Sequence, residues 1–211
     1  KNGFQEWLEV TRFLFKEPVV LVLSLLKSGL AVAGGIMTLI PLMASQVLSK
    51  PAMLSLGIGI LYSARGLGAA LGPLLIKRLF GETSTVLHWS IAASFFLKAG
   101  SYLFIANSEN LWTLSFGVAA ATLFGSIIWV FSSALIHLST PDRYLGRVFS
   151  FELAVMTLVM GISNWGVGFA VDGLGLTFNQ VALWMAALVI LPGLFWTGFL
   201  TFVRKKLQQG Y

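Results

Sequence analysis

The sequence predicts an all-α integral membrane protein with six transmembrane helices. Of the 211 residues, 57% are hydrophobic and only 10% are charged, and the apolar residues form six long runs. A soluble domain carries about 25% charged residues, and a helix needs about 20 apolar residues to cross the hydrocarbon core of a bilayer. The charges lie mostly between the runs, as expected for a chain that crosses a membrane repeatedly.

The first 17 residues precede the runs, and their apolar stripe predicts a cytoplasmic amphipathic linker helix on the membrane surface, with Trp7 at headgroup level. A plain linker is the alternative. The first run exceeds the length that a bilayer requires, so we expect it to tilt or to kink, with the kink near Gly34-Gly35 or Pro41. Pro192-Gly193 is expected to interrupt the last run. The bundle should occupy residues 18–206, before a cytoplasmic tail 207–211, with spans at 18–47, 54–79, 86–106, 111–138, 148–171 and 178–203.

Basic residues predict the orientation of these spans. With a cytoplasmic N-terminus, the outer segments hold only Lys50, whereas all other basic residues between the spans or at their ends are inside. Cytoplasmic segments carry an excess of Lys and Arg. Both termini are therefore expected in the cytoplasm, with the following basic residues on that side: Lys1, Arg12, Lys16, Lys77, Arg78, Arg143, Arg147, Arg204, Lys205 and Lys206.

The residue content argues against several functional classes. The chain has no Cys, and its two histidines, His88 and His137, lie in different runs, so we expect neither a metal site nor another cofactor. The glycines of the second run lie in an apolar helix and do not follow a strand, so they do not form a nucleotide loop. No nucleophile accompanies a base at workable depth, so enzyme activity is not expected. The net charge of +6 serves orientation rather than binding of nucleic acid.

Arg65 is the most informative charge inside a run, because an arginine at mid-bilayer costs about 3 kcal/mol on insertion scales. It could face a watery cavity, an anionic group of a substrate, or an acid from other helices; bracing of packed helices is an equal alternative. Lys27 and Lys98 are expected to snorkel toward the interface. Asn164 and Trp165 lie near the middle of the fifth run, where helix packing is the alternative to a contact with substrate.

Residues 140–150 form a short polar island between two apolar runs, and they contain Arg143, Gly146 and Arg147. One interpretation is a solvated loop with basic residues on the cytoplasmic side; the other is a hinge that gates a transport pathway. Glu152 is within helical reach of Arg147, so we expect an intrahelical pair at the membrane surface or a latch that opens and closes.

Glycines mark the middle run of each half of the chain. Gly68 and Gly72, after Gly66, form a small-xxx-small pair that lets another helix approach closely. Gly168 belongs to the corresponding run of the second half. The first of these runs ends with Lys77-Arg78 and the second ends, at the opposite face, with Asp172. Opposed triplets of this kind predict an inverted three-plus-three repeat, which secondary transporters use.

Three stretches resemble the second half of a major facilitator superfamily transporter: residues 64–73 (ARGLGAALGP), 141–150 (PDRYLGRVFS) and Gly168-x-x-x-Asp172-x-x-Gly175. The resemblance covers the whole chain and is strongest for bacterial exporters related to siderophore and macrolide efflux proteins. Two features depart from the family. Ile76 stands before Lys77-Arg78 where an acid is frequent, and the chain has six spans where the family has twelve.

The resemblance implies half of a twelve-helix secondary active transporter, with a small organic or amphiphilic cargo exported by proton-coupled alternating access. It implies a prokaryotic plasma membrane, contact with membrane lipid, and a partner that is either an N-terminal six-helix half or a paired half-transporter. Arg65, Asn164 and Trp165 would then line the cavity, and Lys77, Arg78, Arg143, Gly146, Arg147, Glu152 and Asp172 would take part in gating. A non-transporting membrane subunit or scaffold of a larger complex is the alternative.

Overall fold

The computed structural model describes residues 3–48 and 51–207, with side chains for 8–48 and 52–202. The expectations for Lys1, Lys50, the Trp7 side chain, the basic side chains at 204–206 and the tail after residue 207 fall outside these residues. Within them all regular structure is helical. The α-helices are α1 Gly3–Lys16, α2 Pro18–Val32, α3 Ile40–Val47, α4 Leu54–Phe80, α5 Ser84–Ala106, α6 Leu111–Ser139, α7 Asp142–Gly168 and α8 Phe178–Leu207.

Six helical segments are long and apolar enough to cross a membrane, so the chain is a multi-pass membrane protein. They match the predicted runs closely, except that the fifth begins at Asp142 rather than at residue 148. Asp142 follows Pro141, whose fixed φ suits the entry to a helix. The segments are Pro18–Val47, Leu54–Phe80, Ser84–Ala106, Leu111–Ser139, Asp142–Gly173 and Phe178–Phe202.

The first span is broken in its middle, as its length and residues predict. A 3-10 segment, Gly34–Leu39, separates α2 from α3. Two glycines favour such a break because they cost more entropy in a helix than other residues, and Pro41, at the start of α3, needs no helical N–H partner. The interruption expected at Pro192-Gly193 is wrong, because α8 continues through Pro192. The proline ring packs on α2, where a Cβ at Gly29 would lie 2.7 Å from Pro192 Cβ.

Two pairs of helices run side by side in the same direction. Along α2 and α7, Lys27 contacts Glu152, and Gly35 contacts Ser163 further along both helices. Along α4 and α6, Gly68 meets the carbonyl of Ala119. A second contact, between Gly72 and the Leu123 carbonyl, follows one turn later. Each pair therefore joins a helix from the first three spans to one from the last three, and α5 packs between α6 and α8.

Gly68 and Gly72 lie where α4 approaches α6 most closely. A Cβ at Gly68 would stand 2.0 Å from the Ala119 carbonyl oxygen, and one at Gly72 would stand 2.4 Å from the Leu123 carbonyl oxygen. No side chain fits at either position, because the neighbouring atoms belong to helical backbone. Gly66 and Gly168 differ, since the described part of the chain leaves open space beside both.

The amphipathic helix α1 packs against the bundle. Val10 and Leu14 on its apolar stripe are buried in the common core, and Phe13 stacks on Tyr144 of α7 with 4.3 Å between ring centroids. Arg12 and Lys16 are exposed on the other face. The apolar stripe therefore contacts α2 and α7.

Replacing Gly68 with Val should destabilise the bundle by more than the about 1–3 kcal/mol of ordinary overpacking, because the new side chain would meet backbone that cannot withdraw. Gly100→Val, at an exposed position of α5 with open space beside it, is the matched control and should change stability by less than about 0.5 kcal/mol. Thermal unfolding of the two purified variants in detergent measures the difference. Equal melting temperatures would contradict the close contact between α4 and α6.

Candidate functional site

An ion pair inside the bundle joins α2 to α7. Lys27 Nζ lies 2.9 Å from Glu152 Oε2, and the two side chains are only 6% and 3% exposed. The pair forms because the helices run in parallel from a common end of the bundle. Lys27 is the tenth residue of α2 and Glu152 is the eleventh of α7, so both lie about 14–15 Å along their helices at a rise of about 1.5 Å per residue.

A polar and aromatic cage surrounds the Lys27 ammonium. Ser133 of α6 accepts a second hydrogen bond from Nζ at 2.7 Å. The Trp129 ring centroid is 4.6 Å from Nζ, and that of Phe149 is 5.7 Å away. Aromatic faces attract a cation through their negative π-clouds. The ammonium of Lys27 is therefore held by a carboxylate, a hydroxyl and two rings from two other helices, α6 and α7.

Only one of the two carboxylate oxygens of Glu152 has a hydrogen-bond partner among the described residues. Its Oε2 accepts from Lys27, whereas its buried Oε1 has no hydrogen-bond partner among the described residues. An ionised carboxylate that is removed from water needs its lone pairs occupied, and leaving one oxygen without a donor is costly.

This geometry corrects two expectations. Glu152 does not pair with Arg147, since its ionic partner is Lys27 on another helix. Lys27 does not snorkel to the interface, because its ammonium stays inside the bundle and is fully engaged there. The sequence held a usable signal: Lys27 lies too deep in its apolar run for its side chain to reach the nearer end.

A second polar contact fixes the break in the first span to α7. Ser163 Oγ accepts from the backbone N–H of Gly35 at 3.0 Å and donates to the Val32 carbonyl at 2.7 Å. These are backbone groups that a continuous helix would satisfy internally. The Oδ1 atom of Asn164, the next residue, is buried without a hydrogen-bond partner among the described residues. Tyr102 of α5 donates to the Ala33 carbonyl at 2.9 Å.

Lys98 is a second buried lysine, and snorkelling is wrong for it too. Its ammonium donates to the Ala121 carbonyl of α6 at 2.8 Å and lies 4.9 Å from the Tyr102 ring centroid. No carboxylate of the described residues lies within ion-pair distance of it. The sequence did not single out Lys98, Tyr102 or Ser163 as partners, because each contact joins distant parts of the chain.

The three residues expected to line a cavity lie apart. Arg65 is exposed on α4, with its guanidinium 6.0 Å from the Tyr62 ring centroid. Trp165 is 71% exposed on α7 and stacks on Phe169. Asn164 points its amide oxygen into the bundle instead. Trp165 closes one end of an open groove of about 740 Å³ that follows one face of α7, lined by Ser150, Leu153, Ala154, Thr157, Leu158, Gly161, Ile162 and Trp165.

The expected gating residues at the start of α7 contact α1. Arg147 Nη1 lies 3.4 Å from Glu9 Oε2, and the Tyr144 hydroxyl donates to Glu9 Oε1 at 3.5 Å. Arg143 in turn donates to the Tyr144 hydroxyl and lies against its ring. The polar island is thus the start of a helix rather than a loop, and Gly146 has open space beside it within the described structure.

The remaining gating candidates lie at helix ends. Lys77 pairs with Glu82 at 2.5 Å, and both side chains are more than half exposed. Arg78 is exposed beside Lys77. Asp172 is exposed in a π-helical turn, Phe169–Gly173, which ends α7, and Gly175 follows with a φ of +66° that favours glycine. Lys77, Arg78 and Asp172 therefore stand apart from the buried ion pair.

Comparison of the chain with protein families, with curated proteins and with solved structures finds no match. The described residues contain no group of three His, Asp or Glu side chains that could hold a metal ion. The buried Lys27–Glu152 pair itself offers an ion pair and hydrogen bonds inside the bundle.

Removing one partner of the buried pair should be much more harmful than removing both. Lys27→Met leaves the Glu152 carboxylate buried without a cation, which is expected to cost about 3–5 kcal/mol, whereas Lys27→Met with Glu152→Leu should regain most of that loss. Thermal unfolding of the single and double variants measures this coupling. Lys77→Met, which breaks the exposed pair with Glu82, is the matched control and should change little. Additive losses in the double variant would show that the pair is not coupled.

Proposed function

We propose that this chain is the six-helix half of a secondary active transporter, which exports a small organic or amphiphilic molecule by alternating access coupled to protons. The observation that carries the proposal is the buried Lys27–Glu152 pair with its unpartnered carboxylate oxygen. Charges inside membrane spans are costly and generally mark substrate or ion pathways. Helix packing alone would be served equally well by apolar residues at both positions.

The pair gives proton binding a mechanical consequence. A proton added to Glu152 removes the negative charge that attracts Lys27, and the contact between α2 and α7 weakens. Loss of that proton on the other side of the membrane restores the attraction. The 3-10 segment Gly34–Leu39 follows α2 and separates it from α3. This break in the first span offers a hinge about which α2 and α3 can move.

The packing of the spans supports an inverted repeat of three plus three. In such a repeat, the first, second and third spans correspond to the fourth, fifth and sixth. Exchanging the two triplets therefore puts the first span in the position of the fourth and the fifth span in the position of the second. The parallel pair α2 and α7 then becomes the parallel pair α6 and α4, which the bundle also contains. Such an exchange is expected when two triplets are related by a pseudo-two-fold axis, as in secondary transporters.

The outward faces of α4 and α7 support a missing partner. Small residues that are exposed or half-exposed recur at the same spacing on both helices: Gly59, Ser63, Gly66 and Ala70 on α4, and Ser150, Ala154, Thr157 and Gly161 on α7. Small residues allow close approach of another helix in a membrane. We propose that these faces meet a second six-helix half, either in the same polypeptide or in a paired half-transporter. The space between the two halves then admits or excludes the cargo and membrane lipid.

The contacts of α1 support a gate at the end where α2 and α7 begin. Glu9 links α1 to Tyr144 and Arg147, so a movement of α7 must either carry α1 with it or break these contacts. We place this end in the cytoplasm of a prokaryotic cell, with both termini on that side of the plasma membrane, because the basic residues of the connecting segments gather there. Arg143 and Arg147 would then close the cytoplasmic side.

A scaffold subunit is the alternative that the exposed faces of α4 and α7 also suit. The two functions differ in motion, since a scaffold keeps its contacts and a transporter exchanges them. A buried carboxylate with an unpartnered oxygen favours the transporter, because a rigid scaffold gains nothing from it.

Single cysteines can report alternating access without background, because the chain has no cysteine. Ser150→Cys and Trp165→Cys place reporters on the same face of α7, about 22 Å apart at a rise of about 1.5 Å per residue. In proteoliposomes, a pH gradient should raise labelling by a membrane-impermeant maleimide at one position and lower it at the other. Glu152→Gln, which keeps the shape but cannot ionise, should abolish this response.

Two controls accompany the measurement. Glu17→Gln changes an exposed carboxylate before α2 and should leave the labelling response intact. A melting temperature for Glu152→Gln close to that of the parent protein excludes unfolding as the cause. If neither reporter responds to the gradient in the parent protein, the scaffold function is favoured over transport.

A further inference from the structure

The interior of the spans carries more positive than negative charge. Lys27, Arg65 and Lys98 lie within them, and Glu152 is the one described carboxylate at comparable depth, already paired with Lys27. Arg65 and Lys98 therefore have no anionic partner among the described residues. The other described carboxylates lie in α1, in the connections or at the ends of spans: Glu9, Glu17, Glu82, Glu109, Asp142 and Asp172.

Arg65 and Lys98 flank the same part of α6. Lys98 donates to the carbonyl of Ala121 from one side. From the other side, Gly68 of α4 approaches the Ala119 carbonyl, and Arg65 is the residue one turn before Gly68. The two cations thus lie at a similar level along α6, with Lys98 buried inside the bundle and Arg65 exposed on α4.

Both side chains have donors to spare. An ammonium has three N–H donors and a guanidinium has five. Lys98 uses one of its donors, on Ala121, and Arg65 makes no hydrogen bond to the described residues beyond its contact with the Tyr62 ring. Gly125 lies beside the ammonium, where a Cβ would stand 3.2 Å from Lys98 Nζ. Unused donors on cations at this depth are costly unless an anion or water occupies them.

We infer that Arg65 and Lys98 form an anion-binding subsite for the acidic group of an amphiphilic organic anion. The guanidinium contacts the carboxylate, sulfonate or phosphate directly, because Arg65 is exposed and its planar donors fit such groups. Lys98, which donates to the Ala121 carbonyl of α6, adds positive electrostatic potential without touching the anion. Tyr62 and Ala69, exposed one turn before and after Arg65, contact the apolar part of the molecule. The inference rests on the proposed transport function and narrows its substrate class to organic anions.

A pair of dyes with the same ring system tests the sign of the charge. Fluorescein is an anion at neutral pH, and rhodamine 123 is a cation of similar size. Fluorescence anisotropy with the full-length protein in proteoliposomes should show tighter binding of fluorescein. Arg65→Gln should weaken fluorescein binding by about tenfold or more, as expected for the loss of a charge-assisted hydrogen bond. Arg65→Lys should retain part of the affinity, and rhodamine 123 binding should not fall in either variant.

Gly125→Asp is the second variant, and it tests Lys98 without removing it. The new carboxylate would lie beside the ammonium, neutralise it, and so weaken fluorescein binding while the bundle stays folded. Lys77→Gln removes an exposed cation at the end of α4 and is the control that should leave binding unchanged.

Equal binding of the two dyes would overturn the subsite. So would an Arg65→Gln variant that loses stability but keeps its affinity for fluorescein, because Arg65 would then be paired with a carboxylate outside the described residues. Failure of the transport proposal is separable from these outcomes. One result would separate the two proposals: fluorescein binding depends on Arg65, but the labelling of the cysteine reporters does not change with a pH gradient. That result would support the subsite and contradict alternating access.

Discussion

The bundle depends on the cost of placing charge inside an apolar interior. Lys27 and Glu152 tolerate burial only because α2 and α7 run in parallel and bring them together at 2.9 Å. That one contact joins a helix of the first three spans to a helix of the last three. The contact from Ser163 to the break at Gly35 lies along the same pair of spans, and Ser133 joins Lys27 to α6 as well. The packing and the electrostatics therefore impose the same arrangement of helices.

In the proposed function, the break in the first span is the hinge about which the helices move. Its unsatisfied backbone groups are bound by Ser163 of α7 and Tyr102 of α5, so the break is held by side chains from two neighbours. Close contacts without side chains, such as Gly68 against Ala119, make the α4–α6 pair stiff by comparison. In the proposed transport function, the close-packed α4–α6 pair and the broken, charge-linked pair would be the two parts that move against each other.

Sequence analysis predicted the spans well and the site only in part. Apolar runs of more than 20 residues allow one solution in a membrane, a helix, because every backbone group needs an internal partner. The break near Gly34-Gly35 and the close approach at Gly68 followed from the properties of glycine. Arg147 and Glu152 were expected to pair because they are near in sequence, yet Glu152 turns inward to Lys27 and Arg147 turns to Glu9 on α1. The spacing of residues along one helix could not show which ion-pair partner each side chain would take.

The sequence by itself determined that six segments of the described chain are long and apolar enough to span a membrane, where the first of them bends, and which charges lie inside the apolar runs. These properties follow from hydrophobicity and backbone chemistry, which act locally. Only the tertiary structure decided that Lys27 faces Glu152, that Lys98 has no carboxylate partner among the described residues, and that Arg65 points outward. Those facts depend on which helices become neighbours and on how each is rotated, and contacts between residues on different helices determine both.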